Sequence, residues 1–262
     1  MHQDEPQDLD PNPATDPVRI ETQAPKLLGI VGSPHGRGGA TYRLVEAVAN
    51  AAEMEGATTR ILHLDQYAIG YCTACWTCLE KGECSQNDDM SELRRMMLAS
   101  DLLVWGSPTY FGTVTAQMKT FIDRLLPFGH RPPLTGKYAV AVSPSAGAWE
   151  TDTARYMARV LDLLGAQVVG EVAAIFSRAS YKDQVPFAQE QAQRMGKELV
   201  QAWREGRQYP LTWEKLHFQR FMGQLIWESR DFMKADLAYW TEKGWMKEEG
   251  GAQPYSKTQR LR

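Results

Sequence analysis

The chain has 262 residues, 43% hydrophobic and 23% charged, with 29 basic side chains against 32 acidic ones and a formal net charge of −3. Such a composition excludes a fibrous or wholly disordered chain, and with no basic surplus a nucleic-acid partner is not expected. No apolar run reaches the ~18 residues of a membrane span and no apolar signal core opens the chain, so a cytoplasmic protein without a span is expected.

Residues 1–25 hold six acids, one base and five of the fourteen prolines. Few of them could enter a core, and this stretch reads as a disordered acidic leader. The pattern changes at Lys26. Lys26–Gly32 is a short apolar run ending in glycine, followed by a Gly-rich loop and an amphipathic helix over Thr41–Glu55. Ala57–Leu64 reads as a second strand, ahead of a segment that holds all four cysteines. Asp88 is the expected N-cap of a helix ending at Leu98. Three further strands are expected at Asp101–Gly106, Lys137–Ser143 and Gln167–Phe176. Helices follow them at about 114–126, 151–164 and 184–204.

Apolar strands alternating with helices imply a parallel sheet covered on both faces. The expected fold class is α/β: a flavodoxin-like, doubly wound, five-stranded parallel sheet over residues 26–206. It carries an inserted cysteine loop at 72–84. Residues 207–262 form an aromatic-rich helical extension with four of the eight tryptophans. Within it Phe218, Phe221, Met222, Leu225, Phe232 and Met233 recur at helical spacing. The stripe must face something. Its own domain or a second copy of the chain is the expected target, the second copy being favoured because the five-stranded core is expected to be closed, with a lid over a cofactor as the sharper alternative. The last dozen residues read as loose.

In doubly wound sheets ligands bind beyond the carboxyl ends of the strands. The first such loop runs from Gly32 to Thr41. Its small residues, Gly39 and Ala40 among them, let backbone N–H groups approach a phosphate at a helix start. Ser33 and Thr41 add hydroxyls, and Arg37 and His35 add charge. The sequence matches neither a P-loop nor a G-x-G-x-x-G turn. The loop after the third strand, Ser107-Pro108-Thr109-Tyr110-Phe111-Gly112-Thr113, suits a flat heteroaromatic ring with polar edges. A similar loop after the fourth strand contains Ser145 and Gly147, and neither has the spacing of a serine-hydrolase elbow.

The cysteines, Cys72, Cys75, Cys78 and Cys84, are spaced C-x2-C-x2-C-x5-C. Confined to one short run, they cannot staple distant loops. Three readings stand: a four-iron cluster, for which so compact a run is suited; a zinc site; or free, redox-active thiols.

The strand-GSP-loop, the cysteine run with Asp88-Asp89-Met90 behind it, and the stretch SPTYFGTVTAQMKTFIDR together resemble the flavodoxin-like NADPH-dependent FMN reductases. The cysteine run is similar to that of their iron–sulfur flavoprotein branch. The resemblance covers Lys26 to Arg204 and departs in two places. His35 stands where many relatives have Arg or Lys, and Gly-Gly-Ala-Thr replaces Gly-Asn-Thr. It implies FMN held at its phosphate by the first loop (Ser33, His35, Arg37, Gly39, Ala40, Thr41). The ring would lie against Pro108, Thr109, Tyr110, Phe111, Gly112, Thr113, Ser145 and Gly147. It further implies a [4Fe–4S] cluster on the four cysteines and a homodimer or higher oligomer, with the cluster near a subunit interface and close to a flavin. Electrons would pass between NAD(P)H or a ferredoxin-type donor and an unidentified acceptor. The alternatives are a cluster-free NAD(P)H-dependent FMN or quinone reductase and a zinc-stabilised binding module.

Overall fold

The computed structural model describes residues 23–176 and 181–246, with no side chains for 181–184. Nearly all of the acidic leader and the chain end read as loose lie outside the described residues. Five strands, β1 (Lys26–Val31), β2 (Thr58–His63), β3 (Leu102–Gly106), β4 (Tyr138–Ser145) and β5 (Gln167–Ile175), form one sheet in the order β2-β1-β3-β4-β5. Every neighbouring pair is parallel. This is the flavodoxin-like order, with its switch point between β1 and β3.

The central strands are apolar throughout because both faces are covered: every residue of β3 and β4 is buried. On one face α1 (Ala40–Met54) and α7 (Tyr181–Arg204) pack over Val31, Val104, Val140 and Val172. These two helices touch so closely that a Cβ on Gly196 would lie 2.2 Å from the Val48 carbonyl oxygen. On the other face α3 (Met90–Leu98), α4 (Ala116–Asp123) and α6 (Glu150–Leu163) pack over Ile30, Leu103 and Trp105.

Two local expectations need correction. The helix expected over 114–126 is shorter and stops at Asp123, and α5 (Leu126–His130) follows as a separate turn. Pro127 has no N–H to continue a ladder but fits the first turn of a new helix. The N-cap of α3 is Asp89, not Asp88. Asp88 still accepts the Met90 N–H at 3.1 Å, from one position outside the helix.

The extension forms α8 (Trp213–Glu228) and α9 (Lys234–Glu242), which fold back on α5 and on α2 (Thr77–Lys81) in the cysteine segment. The aromatic stripe therefore splits. Met222, Ile226, Met233 and Trp240 are buried in a third core with Cys78 and Leu79, against which Leu126, Phe218 and Leu225 pack. Phe221 and Phe232 remain 56% and 46% exposed. The tail thus covers part of its own chain, the less favoured of the two targets, because α2 and α5 carry apolar side chains beyond the two sheet faces. No helix among the described residues is long and apolar enough to cross a membrane.

Candidate functional site

The first loop leaves β1 at Gly32, where α4 presses close: a Cβ on Gly32 would lie 2.8 Å from Met118 Cβ. Ser33 is buried, and its hydroxyl accepts the His35 N–H at 3.4 Å. A short 3-10 turn over Gly36–Gly38 leads to Gly39, the N-cap of α1. No side chain caps this helix and its first turn holds no acid, so its amides and positive dipole end are left for an anion. Arg37 lies in the 3-10 turn, Ala40 opens α1, and Thr41 is buried just behind it. The open space beside Gly36 and Gly38 leaves this backbone approachable.

The second and third loops are locked to the first by hydroxyl groups. Thr115, the N-cap of α4, donates to the Gly32 carbonyl at 2.7 Å and accepts the Met118 N–H at 3.2 Å. Ser107, fully buried, accepts the Thr115 N–H at 3.0 Å and donates to the Pro108 carbonyl. Thr109 donates its N–H to the Pro144 carbonyl at 2.9 Å, and its hydroxyl meets those of Ser143 and Thr153 at 3.1 and 3.0 Å. Tyr110 and Thr113 exchange backbone hydrogen bonds across Phe111-Gly112, both at positive φ. That tight turn leaves the Phe111 side chain fully exposed. β4 runs on to Ser145, whose hydroxyl donates to Glu150 at 3.1 Å and accepts the Gly147 N–H at 3.3 Å. Trp149, 60% exposed, faces Gly112 across the gap, its Cδ2 3.9 Å from where a Cβ on Gly112 would stand.

Among the described residues the non-glycine residues at positive φ are Ala74, Trp76, Phe111 and Trp149. All four lie in the candidate loops, and such strain of about 1–3 kcal/mol per residue persists where the surroundings enforce it, as at ligand sites. In the cysteine segment the two left-handed residues turn the chain tightly from Cys72 to Cys78. Cys72 and Cys75 are exposed, Cys84 is partly covered and Cys78 is buried. All four line one cavity with Trp76, Arg124, Leu126 and Pro127. The Thr77 hydroxyl and amide, with the Ser85 hydroxyl, stabilise the Cys75 thiolate and lower its pKa to about 6. Burial and the neighbouring Cys84 push the Cys78 thiol up instead.

Two arginines hold this segment from behind. Arg124 follows α4 and is bidentate to Asp88, with contacts of 2.5 and 3.1 Å, while it also donates to the Gly70 carbonyl and to Cys84 Sγ at 3.5 Å. Burial alone would raise the Asp88 pKa, but Arg124 and the Gly70 and Met90 amides outweigh it and hold it below the usual carboxylate range. Arg131 donates to the Cys78 and Gly82 carbonyls and pairs with Asp236 of α9. Asp236 is fully buried and also meets His130 Nδ1 at 3.0 Å; Trp240 Nε1 donates to the His130 carbonyl. Sequence reasoning missed Arg131 and Asp236 and gave Arg124 no role. Arg124 closes the F-I-D-R stretch, a usable signal; Asp236 opens a run, Asp236-Leu237-Ala238-Tyr239-Trp240, that resembles an extension of some relatives, but nothing local points from it to Arg131.

The residues fit both cofactors. The uncapped start of α1 and the open glycines suit a phosphate, and the exposed aromatic rims suit a ring. Four thiols around one cavity suit a cluster. Among the described residues no three His, Cys, Asp or Glu side chains close on a single-ion position.

The family model of NADPH-dependent FMN reductases matches residues 25–180. An iron-sulfur flavoprotein of Archaeoglobus fulgidus is 38% identical over 225 residues, covering 84% of this chain and 100% of that protein. Another, of Methanocaldococcus jannaschii, is 37% identical over 126 residues, covering 47% of this chain and 65% of that protein. The solved structure of RosB with a bound 8-demethyl-8-formylriboflavin-5′-phosphate superposes with a TM-score of 0.58 at 14% identity, over 91% of this chain and 94% of that one. A flavone reductase superposes with a TM-score of 0.55 at 20% identity, over 69% and 63%. These two likenesses carry the fold alone. The chain belongs to the NADPH-dependent FMN reductase family, on its iron–sulfur flavoprotein branch, and is a flavin-dependent oxidoreductase.

Proposed function

We propose that this oxidoreductase binds FMN at the three loops, holds a [4Fe–4S] cluster on Cys72, Cys75, Cys78 and Cys84, and passes electrons between a donor and an acceptor. The observation that carries the cluster is that four cysteines of one short run line a single cavity beside a buried arginine. A flavin exchanges one or two electrons and a cluster one at a time, so together they divide a two-electron event into single steps. The chain's own part is positional. The first loop offers backbone N–H groups, Arg37 and the start of α1 to the phosphate. The Tyr110–Thr113 turn and the loop through Ser145 and Gly147 present amides and aromatic faces to the ring. Ser107, Thr109 and Thr115 fix the spacing between the loops. The donor class is NAD(P)H or a reduced ferredoxin-type protein, and the working form is a cytoplasmic homodimer or larger homo-oligomer.

The test is an absorption spectrum of anaerobically purified protein with iron, zinc and FMN quantitation. Flavin bands with added broad absorbance and about four iron atoms per chain are the expected result, from the chemistry of such clusters. Flavin alone would select the cluster-free reductase. Zinc without flavin would select the binding module.

A further inference from the structure

We propose that Arg124 is a positioning residue that raises the reduction potential of the cysteine-bound centre, and that Asp88 opposes it. This rests on the cluster reading above.

Arg124 lies at the C-cap of α4, the end where a helix favours a cation, and its side chain is only 1% exposed. Its Nη1 donates to Gly70 and Asp88, and its Nη2 to Asp88 and to Cys84 Sγ. Its Nε has no partner among the described residues. The guanidinium is thus anchored on one side by a carboxylate and a carbonyl, and it offers its remaining Nη2 proton to a sulfur. Arg131, the other arginine behind the loop, directs its bonds to carbonyl oxygens and Asp236.

Reduction of the centre makes and breaks no bond. A cluster bound there would take up one electron, supplied by reduced flavin and passed on to a one-electron acceptor, and would gain one negative charge beside the four cysteine sulfurs. Net charge, hydrogen bonds to the sulfurs and solvent exposure set cluster potentials. A buried cation donating to Cys84 stabilises the more negative, reduced state. The Asp88 carboxylate, on the far side of the same guanidinium, offsets part of that effect. The two residues therefore act with opposite sign, which a purely structural pair would not do.

The experiment is an anaerobic redox titration of the complete protein, with the cluster and the FMN followed separately. Arg124→Gln is expected to shift the cluster's reduced-to-oxidised ratio at a fixed potential at least tenfold toward oxidised, or 59 mV for one electron. Asp88→Asn is expected to shift it toward reduced, Arg124→Lys to fall between wild type and Arg124→Gln, and the FMN couple to stay in place. Shifts of the same sign in Arg124→Gln and Asp88→Asn, or none in either, would overturn the proposal. If Arg124→Gln fails to hold iron, Asp88→Asn decides alone, and the absence of a shift toward reduced overturns it. Wild-type protein that carries FMN but no iron overturns the cluster reading itself and this proposal with it.

Discussion

The three loops proposed to hold FMN and the cysteine loop are tied to opposite ends of α4, through Thr115 at its N-cap and Arg124 at its C-cap, yet they are supported differently. The flavin loops hold one another. Thr115 ties the second to the first, and Thr109 ties the second to the third, all from strands buried on both faces. The cysteine loop has no such scaffold. It lies beyond the sheet and depends on Arg124, Arg131 and the third core built with α8 and α9. A cofactor site carried by the sheet comes with the fold, whereas one carried by a loop needs an added element behind it.

Removing that element is expected to have the largest effect. A chain ending at Gly206 loses the partners of Cys78 and Leu79 in the third core, where each large buried side chain contributes about 1.5–3 kcal/mol. We expect it to retain FMN and lose iron, and to aggregate or change oligomeric mass by light scattering. Unchanged iron content and mass would show that the loop supports itself. Asp236→Ala makes a smaller break in the same place. It strands Arg131 and His130 beside an apolar core and is expected to cost about 3–5 kcal/mol in chemical denaturation, with iron lost before flavin. Equal loss of both cofactors would erase the distinction between the two regions.

The smallest effect lies away from both. Burial raises the pKa of Glu171, on the edge strand β5, by more than the nearby Arg155 charge lowers it. Its raised folded pKa favours the protonated form, so its contribution to stability is present at low pH and lost as pH rises through that value. Glu171→Gln is expected to stabilise the protein near neutral pH by less than about 1 kcal/mol, since solvent screens a partly exposed group. The gain should vanish below the usual carboxylate range, and neither cofactor should be affected. A destabilised variant at neutral pH would contradict this sign.

Legibility in the sequence follows the same division. The central strands β1, β3 and β4, and the loops that leave them, show in continuous apolar runs ending in Gly or Ser, because burial on both faces writes itself into nearly every residue. The four cysteines show by spacing alone. What holds them does not: Arg131 and Asp236 are 105 residues apart, and their meeting is a matter of tertiary packing with no local trace. The aromatic tail was legible as a surface that must be covered, but not what it covers, since the apolar side of α2 appears only once the cysteine loop is folded. Pro127 is a local sign, unused in the expectation of a helix to 126, that a new turn begins after α4.

The independence of the two regions is tested most directly by changing all four cysteines to serine and measuring iron and FMN per chain in the anaerobically purified protein. We expect iron to be absent and FMN to remain at the wild-type level, because the three flavin loops are tied to one another and to the sheet. Iron retained in that variant, or FMN lost together with it, would contradict the division of this protein into a sheet-borne flavin site and a loop-borne cluster site.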